Sequence, residues 1–185
     1  MTRPSDTLRE EHTVIEHLLG VLDGMAGHLA AGEPVPAKDL DAALEIAVNF
    51  ADKCHHAKEE RALFPLLEKF SPDEGKLLAH RLHGDHEAFR HLMRQMRDAV
   101  PKVGARDAAA TTMFAKNTRT YSSLLREHIA TETRLLFPLM DRVIPANEMG
   151  RLEEEFDRIE KQEVGAGVHE RYEHTVHSLA ERYGH

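Results

Sequence analysis

Two segments of the sequence carry the same pattern: a histidine, a glutamate four residues later, and a Leu-Phe-Pro sequence. The first copy contains His55 and Glu59, and the second contains His128 and Glu132. In each copy the proline follows the histidine by ten residues. Side chains four residues apart in a helix lie one above the other on the same face. Each copy therefore predicts an imidazole and a carboxylate on one side of a helix.

Two further histidines precede these copies at nearly equal distances. His12 lies 43 residues before His55, and His86 lies 42 residues before His128. Both follow an acidic residue, and a second histidine comes five residues after each of them. The repeat predicts two helical hairpins of related sequence, each with a histidine on its first helix and a His-x-x-x-Glu pattern on its second.

These side chains suit a site for two metal cations. Two carboxylates buried without a metal would be costly or would have to hold protons. Each glutamate could bridge two cations, and each cation could take two histidines. Imidazole and carboxylate ligands with open positions suit iron, whereas manganese or zinc is less favoured. The predicted metal ligands are His12, His55, Glu59, His86, His128 and Glu132.

Several alternatives were weighed against this ligand set. His56 and Glu60 share the four-residue spacing, but only His55 and Glu59 match the second copy's distance to the proline. The single cysteine excludes a Cys-rich structural zinc site. No glutamate lies three residues before a histidine, as the ferritin-like di-iron sites require, and the His-Glu-x-x-His motif of metalloproteases is missing.

Other residues with the right chemistry receive weaker predictions. His83 is a candidate extra ligand, Tyr121 either packs in the core or lines the metal pocket, and Cys54 is either a small buried residue or a redox thiol. Surface positions are predicted for the remaining candidates, which are His17, His91, His169, Tyr172, His174 and His177.

Apolar residues at alternating spacings of three and four predict four long helices. Helix one is predicted to be capped by Ser5, Asp6 or Thr7 and to end at Gly32, and helix two to span about 38–69. Helix three is predicted to start after Ser71 and helix four near position 106. We predict an all-α, up-down-up-down four-helix bundle over residues 1–145. Residues 146–185 are predicted to be a helical extension that packs on the bundle or on a partner subunit.

Composition limits the classes of partner. The formal net charge of -8 over 185 residues argues against nucleic acid. No run of about 18 apolar residues is present, so no membrane span is expected. The first residues lack the apolar segment of a secretory signal. Together with the single cysteine, these features predict a cytoplasmic protein, either a monomer or a homodimer.

The complete pattern of His12, His55-x-x-x-Glu59, His86 and His128-x-x-x-Glu132, with both Leu-Phe-Pro sequences, resembles the hemerythrin-like HHE cation-binding domain. The resemblance covers about residues 5–143. It implies a non-haem di-iron centre bridged by the two glutamates and a solvent-derived oxygen. Proteins of this family bind or sense oxygen, respond to nitric oxide, decompose peroxide or help repair iron–sulfur clusters.

The sequence differs from the oxygen-carrying hemerythrins, which have His-x-x-x-His on the third helix and an Asp after the last ligand histidine. Here Arg90 follows His86 by four residues, and Thr133 follows Glu132. The pattern is closer to members with four histidines and two glutamates. The iron–sulfur repair type usually carries a Cys-containing N-terminal segment, which this sequence lacks.

The leading functional hypothesis is a non-haem di-iron protein that binds or reacts with oxygen, hydrogen peroxide or nitric oxide. Whether it consumes peroxide or nitric oxide as an enzyme stays open. The alternatives are a redox or oxygen sensor or an iron-handling protein that acts through its C-terminal segment, and a protein of the iron–sulfur repair type.

Overall fold

A computed structural model describes residues 3–165 and 168–184, and within these residues the chain is helical and contains no strand. The prediction of an all-α fold is therefore confirmed. None of the helices in this part of the chain is both long and apolar enough to cross a membrane. The continuous helical segments are α1 (Pro4–Ala30), α2 (37–70), α3 (Glu74–Gly104), α4 (108–143), α5 (Ala146–Glu163) and α6 (Val168–Tyr183).

Helices α2 and α4 contain π-helical turns that periodicity did not predict. In α2 these turns cover Ala47–His56 and Glu59–Leu63, and in α4 they cover Glu132–Leu136. Two of these segments end just before a Phe-Pro pair. A proline inside a helix lacks an N–H donor and crowds the carbonyl four residues earlier, and a wider turn relieves that crowding. The helices therefore continue through both Leu-Phe-Pro sequences.

The first helix begins earlier than predicted. Pro4 occupies its first turn, where a missing N–H costs nothing, and the N–H of Arg3 donates to Asp6 Oδ2 at 3.2 Å. Ser5, one of the predicted caps, instead donates its hydroxyl to the Asp141 carboxylate of α4 at 3.1 Å. The predicted break holds, because Gly32 adopts a positive φ of 79° just after the helix.

The start of α3 is also shifted. The sequence predicted a helix from Pro72, but the regular helix begins at Glu74. The hydroxyl of Ser71 accepts a hydrogen bond from the Gly75 N–H at 3.1 Å, so this serine still satisfies a backbone donor near the helix start.

Helices α1 to α4 pack side by side around two apolar clusters. Helix α4 contacts both α1 and α3, and α2 also contacts both. One cluster includes Ile15, Leu22, Phe50, Phe89 and Phe114. The other includes Leu8, Leu63, Leu82, Phe137 and Phe156. The predicted ligands lie between members of the two clusters along the chain; His12, for example, lies between Leu8 of one cluster and Ile15 of the other.

The two C-terminal helices pack on the first half of the chain. Helix α5 contacts α1 and α2, and α6 contacts α1 and the start of α2. Tyr183 donates to Asp39 Oδ2 at 2.7 Å, and Arg182 pairs with the same oxygen. A Cβ on Gly24 of α1 would lie 1.6 Å from the Tyr183 carbonyl oxygen, so this contact requires a glycine. The domain boundary at 145 stays a prediction, and residues 166 and 167 of the predicted extension lie outside the described residues.

Candidate metal centre

The four predicted histidines form two facing pairs in the interior. His12 Nε2 lies 3.1 Å from His55 Nε2, and His86 Nε2 lies 3.1 Å from His128 Nε2. All four side chains are buried. Each pair joins α1 to α2 or α3 to α4, so the convergence depends on how the helices pack.

The two glutamates lie between these pairs. Glu132 places Oε2 at 2.9 Å from His12 Nε2 and Oε1 at 2.7 Å from His128 Nε2. Glu59 places Oε2 at 3.3 Å from His86 Nε2. Both carboxylates are fully buried. Glu132 therefore spans the two histidine pairs, and all six predicted residues meet in one layer.

The donor set fits two cations. Two ligand nitrogens about 2.1 Å from one cation, at a right angle, are about 3.0 Å apart, close to the spacing in both pairs. The oxygens of Glu59 and Glu132 are buried and make no well-formed hydrogen bond among the described residues. Ligating atoms of His12, His55 and Glu132 lie within 4.8 Å of one another, as do those of Glu59, His86, His128 and Glu132. Unpartnered buried oxygens facing imidazole nitrogens are what cation binding would satisfy.

The electrostatics of the layer point the same way. Burial and the charge of Glu132 raise the pKa of Glu59, because two nearby carboxylates cannot both ionise easily. Burial alone would raise the pKa of Glu132, but the neighbouring His128 holds it well below the usual value. In turn, Glu132 outweighs the effect of burial on His128 and raises its pKa to about 10. Without cations the layer must therefore hold protons.

Carboxylates outside the layer orient three of the four histidines. Glu11 lies 2.7 Å from His55 Nδ1 and Glu60 lies 2.7 Å from His86 Nδ1. An Nδ1–H that donates to a carboxylate leaves the Nε2 lone pair facing inward and makes it a better ligand. The third pair, Asp85 with His128 Nδ1, measures 3.2 Å.

One of these outer carboxylates is part of a buried ion network. Lys58, with no exposed side-chain area, donates to Glu11 and also to Glu160 of α5, the latter at 2.8 Å. Burial alone would lower the pKa of Lys58, but the charge of Glu11 raises it above its usual value. For the Glu11 carboxyl, burial alone would raise the pKa, but His55 and Lys58 together lower it to about 2. A continuous chain of polar contacts thus connects His55 to the C-terminal helix α5.

The sequence favoured His55 and Glu59 over their neighbours His56 and Glu60 in α2. The structure separates the two glutamates but buries both histidines. Glu60 lies outside the layer, where it bonds His86 Nδ1 and Arg90. His56, however, is as deeply buried as His55 and stacks on the His86 ring with a centroid distance of 4.0 Å. Both histidines therefore face the interior.

The weaker candidates occupy varied positions. His83, a candidate extra ligand, is exposed, as are His17, His91, His174 and His177. Burial raises the pKa of the Cys54 thiol to about 12, which disfavours a reactive thiolate. Tyr121 is buried against Phe89 and lines a cavity together with His56. Tyr172 is half-buried and accepts from Asn49, and the His169 side chain lies outside the described residues.

Sequence reasoning assigned no supporting role to four residues that contact the histidines or their partners: Glu11, Lys58, Glu60 and Asp85. Glu60 was considered only as an alternative ligand. The acid before His12 and the acid before His86 were noted as part of the repeat. That repeat was the available signal. However, Glu11 contacts His55 of the next helix and not the adjacent His12, and Asp85 contacts His128 and not the adjacent His86. Lys58 carries no sequence signal, because a lysine between charged residues is ordinarily exposed.

Comparison with known proteins supports the same interpretation. A family model described as "Hemerythrin HHE cation binding domain" matches residues 3–140. Uncharacterized proteins of Mycobacterium tuberculosis (Rv1995) and Mycobacterium bovis (Mb2018) are each 28% identical over 167 residues. The match covers 89% of this chain but 64% of the length of those relatives. No solved structure matches the chain.

The family match covers most of the chain and includes all six of the residues that converge between the apolar clusters. Domains of this family bind metal cations, and this chain has buried His and Glu clusters that could hold them. The chain belongs to the hemerythrin HHE cation-binding domain family.

Proposed function

We propose that this protein is a non-haem di-iron protein that binds or reacts with a small oxidant: oxygen, hydrogen peroxide or nitric oxide. Its four long helices would form an antiparallel bundle, with residues 146–185 as an extension on the first two helices. The ligands would be the predicted six: His12, His55, Glu59, His86, His128 and Glu132. The observation that carries the proposal is that Glu132 lies within 3 Å of one histidine from each pair.

Two iron ions held in this layer would supply redox chemistry with small oxidants. The protein's own groups orient the imidazoles and keep the layer dry. Glu11, Glu60 and Asp85 hold Nδ1 protons, which leaves the opposite nitrogens free. The apolar clusters on either side would limit the access of water and of larger molecules. Mixed imidazole and carboxylate ligands favour iron over a structural zinc ion.

The test combines metal analysis with spectroscopy. Purified protein is loaded anaerobically with iron(II), its metal content is measured, and its absorption is followed under oxygen, peroxide and nitric oxide. We expect about two irons per chain and a spectral change or consumption with at least one oxidant. The H83A variant, altered at an exposed histidine, is the matched control and should behave like the wild type. Two bound irons that respond to none of the three would reject the oxidant reaction.

A sensor that signals through the C-terminal segment is the second candidate. The observation favouring it is the buried contact chain from His55 through Glu11 and Lys58 to Glu160. A change of charge at the metal layer would alter this chain and thereby the docking of α5. Protease sensitivity of residues 146–185 should then differ between the oxidised and reduced forms. E160Q should abolish that difference, whereas E154Q, at an exposed position of the same helix, should retain it.

A further inference from the structure

His56 is a deeply buried histidine beside the metal layer that the proposed six-ligand set does not use. Its side chain is 1% exposed, and neither ring nitrogen has a hydrogen-bond partner among the described residues. Its ring stacks on His86, with the planes 18° apart. A buried imidazole without partners is costly, so its surroundings lack a group that would satisfy it.

The position of the ring indicates what that group is. One ring nitrogen of His56 lies within 4.8 Å of ligating nitrogens of His86 and His128. His56 Nδ1 also lies 3.7 Å from Asp52 Oδ1. The three oriented histidines of the layer share this arrangement, with Nδ1 toward a carboxylate and Nε2 toward the interior. His56 shares with them a carboxylate near Nδ1, at a distance too long for a hydrogen bond.

We infer that His56 is a third imidazole ligand of the cation held by His86 and His128. This inference rests on the proposed two-cation site and adds an asymmetry to it. One position has two imidazoles, from His12 and His55, and the other has three.

The backbone explains why His56 can face the layer together with its neighbour. Residues Ala47–His56 form a π-helix, which has more residues per turn than an α-helix. Adjacent side chains are therefore separated by a smaller angle, and His55 and His56 both face the interior. At the equivalent place in the second copy the chain is an α-helix, and the residue after His128 is Ile129, which packs in an apolar cluster.

A competing arrangement has His56 turned away from the cations. The same side chain lines a cavity of about 200 Å³ together with Asp52, Arg90 and Tyr121. In that arrangement His56 would contact molecules in the cavity and would not bind metal. Measurements of the metal-bound nitrogens distinguish these two arrangements directly.

The first experiment uses the wild-type chain loaded with zinc as a diamagnetic probe and labelled with ¹⁵N-histidine. Metal-bound, protonated and free imidazole nitrogens have different ¹⁵N shifts. Five histidines with a metal-bound nitrogen are expected, and four would overturn the inference. This measurement needs no variant, so it does not depend on whether a substituted chain folds.

The second experiment titrates cobalt(II) into wild type, H56I and the exposed-site control H83A. H56I introduces the residue type that follows the histidine in the second copy. H56I should still bind two cations, but one should bind at least about tenfold more weakly, with a changed ligand-field spectrum. Two cations bound by H56I with unchanged affinity and spectrum would reject only the role of His56. Fewer than two cations in the wild type would reject the proposed function itself.

Discussion

The two helical hairpins carry the same ligand pattern but surround it differently. In the first hairpin, α1 and α2, the carboxylate behind His55 is Glu11, which is 2% exposed and pairs with buried Lys58. In the second, α3 and α4, the carboxylate behind His128 is Asp85, whose side chain is 40% exposed. The residue equivalent to Lys58 is Thr131. A shared sequence pattern therefore supports one half of the site with a buried charge network and the other with a partly solvated contact.

The C-terminal helices account for this difference. Helices α5 and α6 cover the first hairpin, and Glu160 of α5 completes the ion network. In the described part of the chain, neither C-terminal helix contacts the second hairpin to a comparable extent. Among the described residues, the exposed large apolar side chains all lie in the second hairpin: Leu77, Met113, Leu124 and Leu135. The comparison teaches that the extension, and not the ligand pattern, makes the halves unequal.

The largest expected effect compares the two glutamates. Glu132 contacts a histidine from each pair, whereas Glu59 contacts His86. E132A should therefore reduce bound iron to well below one per chain, and E59A should retain about one. Metal analysis after gel filtration measures this directly. Equal losses in both variants would show that the glutamates are equivalent despite their different contacts.

The next effect concerns the ion network that distinguishes the hairpins. K58M removes the cation that pairs with Glu11 and should destabilise the metal-free protein by about 3 kcal/mol, because the buried carboxylate loses one of its two partners and retains only His55. T131V, at the equivalent position, removes a hydroxyl that bonds the Glu127 carbonyl and should cost about 1 kcal/mol. Urea denaturation measures both. Similar costs for the two variants would remove the proposed distinction between the halves.

A smaller effect tests the seating of α6 on α1. G24A places a Cβ 1.6 Å from the Tyr183 carbonyl oxygen, so the C-terminal helix must shift, at about 1–3 kcal/mol. The control is G20A on the same helix, where a Cβ meets nothing within 4 Å. That variant should be neutral or slightly stabilising, because alanine favours a helix. Thermal unfolding and protease sensitivity of the C-terminal helix give the readout, and equal behaviour of the variants would contradict this packing.

The smallest effect is a pH dependence confined to the covered half. Burial and the hydrogen bond to Asp39 raise the pKa of Tyr183 to about 12. Folding therefore favours its neutral form, so the stabilisation is complete below the unfolded pKa of about 10 and is lost as pH rises toward 12. The loss should stay below about 1 kcal/mol, because solvent screens this site. Unfolding midpoints at several alkaline pH values should separate wild type from Y183F, and parallel curves would refute the role of Tyr183.

Much of the fold and of the candidate site could be predicted because the signals are local. Helical periodicity predicted the all-α class, and the spacing of His55 from Glu59 and of His128 from Glu132 indicated which side chains share a face. The ligand roles of the six residues remain proposals, although the structure brings their side chains together. The helix starts near Pro4 and Glu74 were missed because capping residues several positions apart compete for the same backbone donors.

The sequence by itself determined the family, the helical class and the six residues that meet between the apolar clusters, since a repeat and a helical period need no knowledge of neighbours. Only the tertiary structure decided that Glu11 and Asp85 support histidines of the following helices, that Lys58 is buried, and that His56 faces the layer. The physical reason is that burial and pairing depend on which helix packs opposite a residue. The sequence alone does not distinguish a lysine or histidine that contacts water from one that contacts a buried carboxylate.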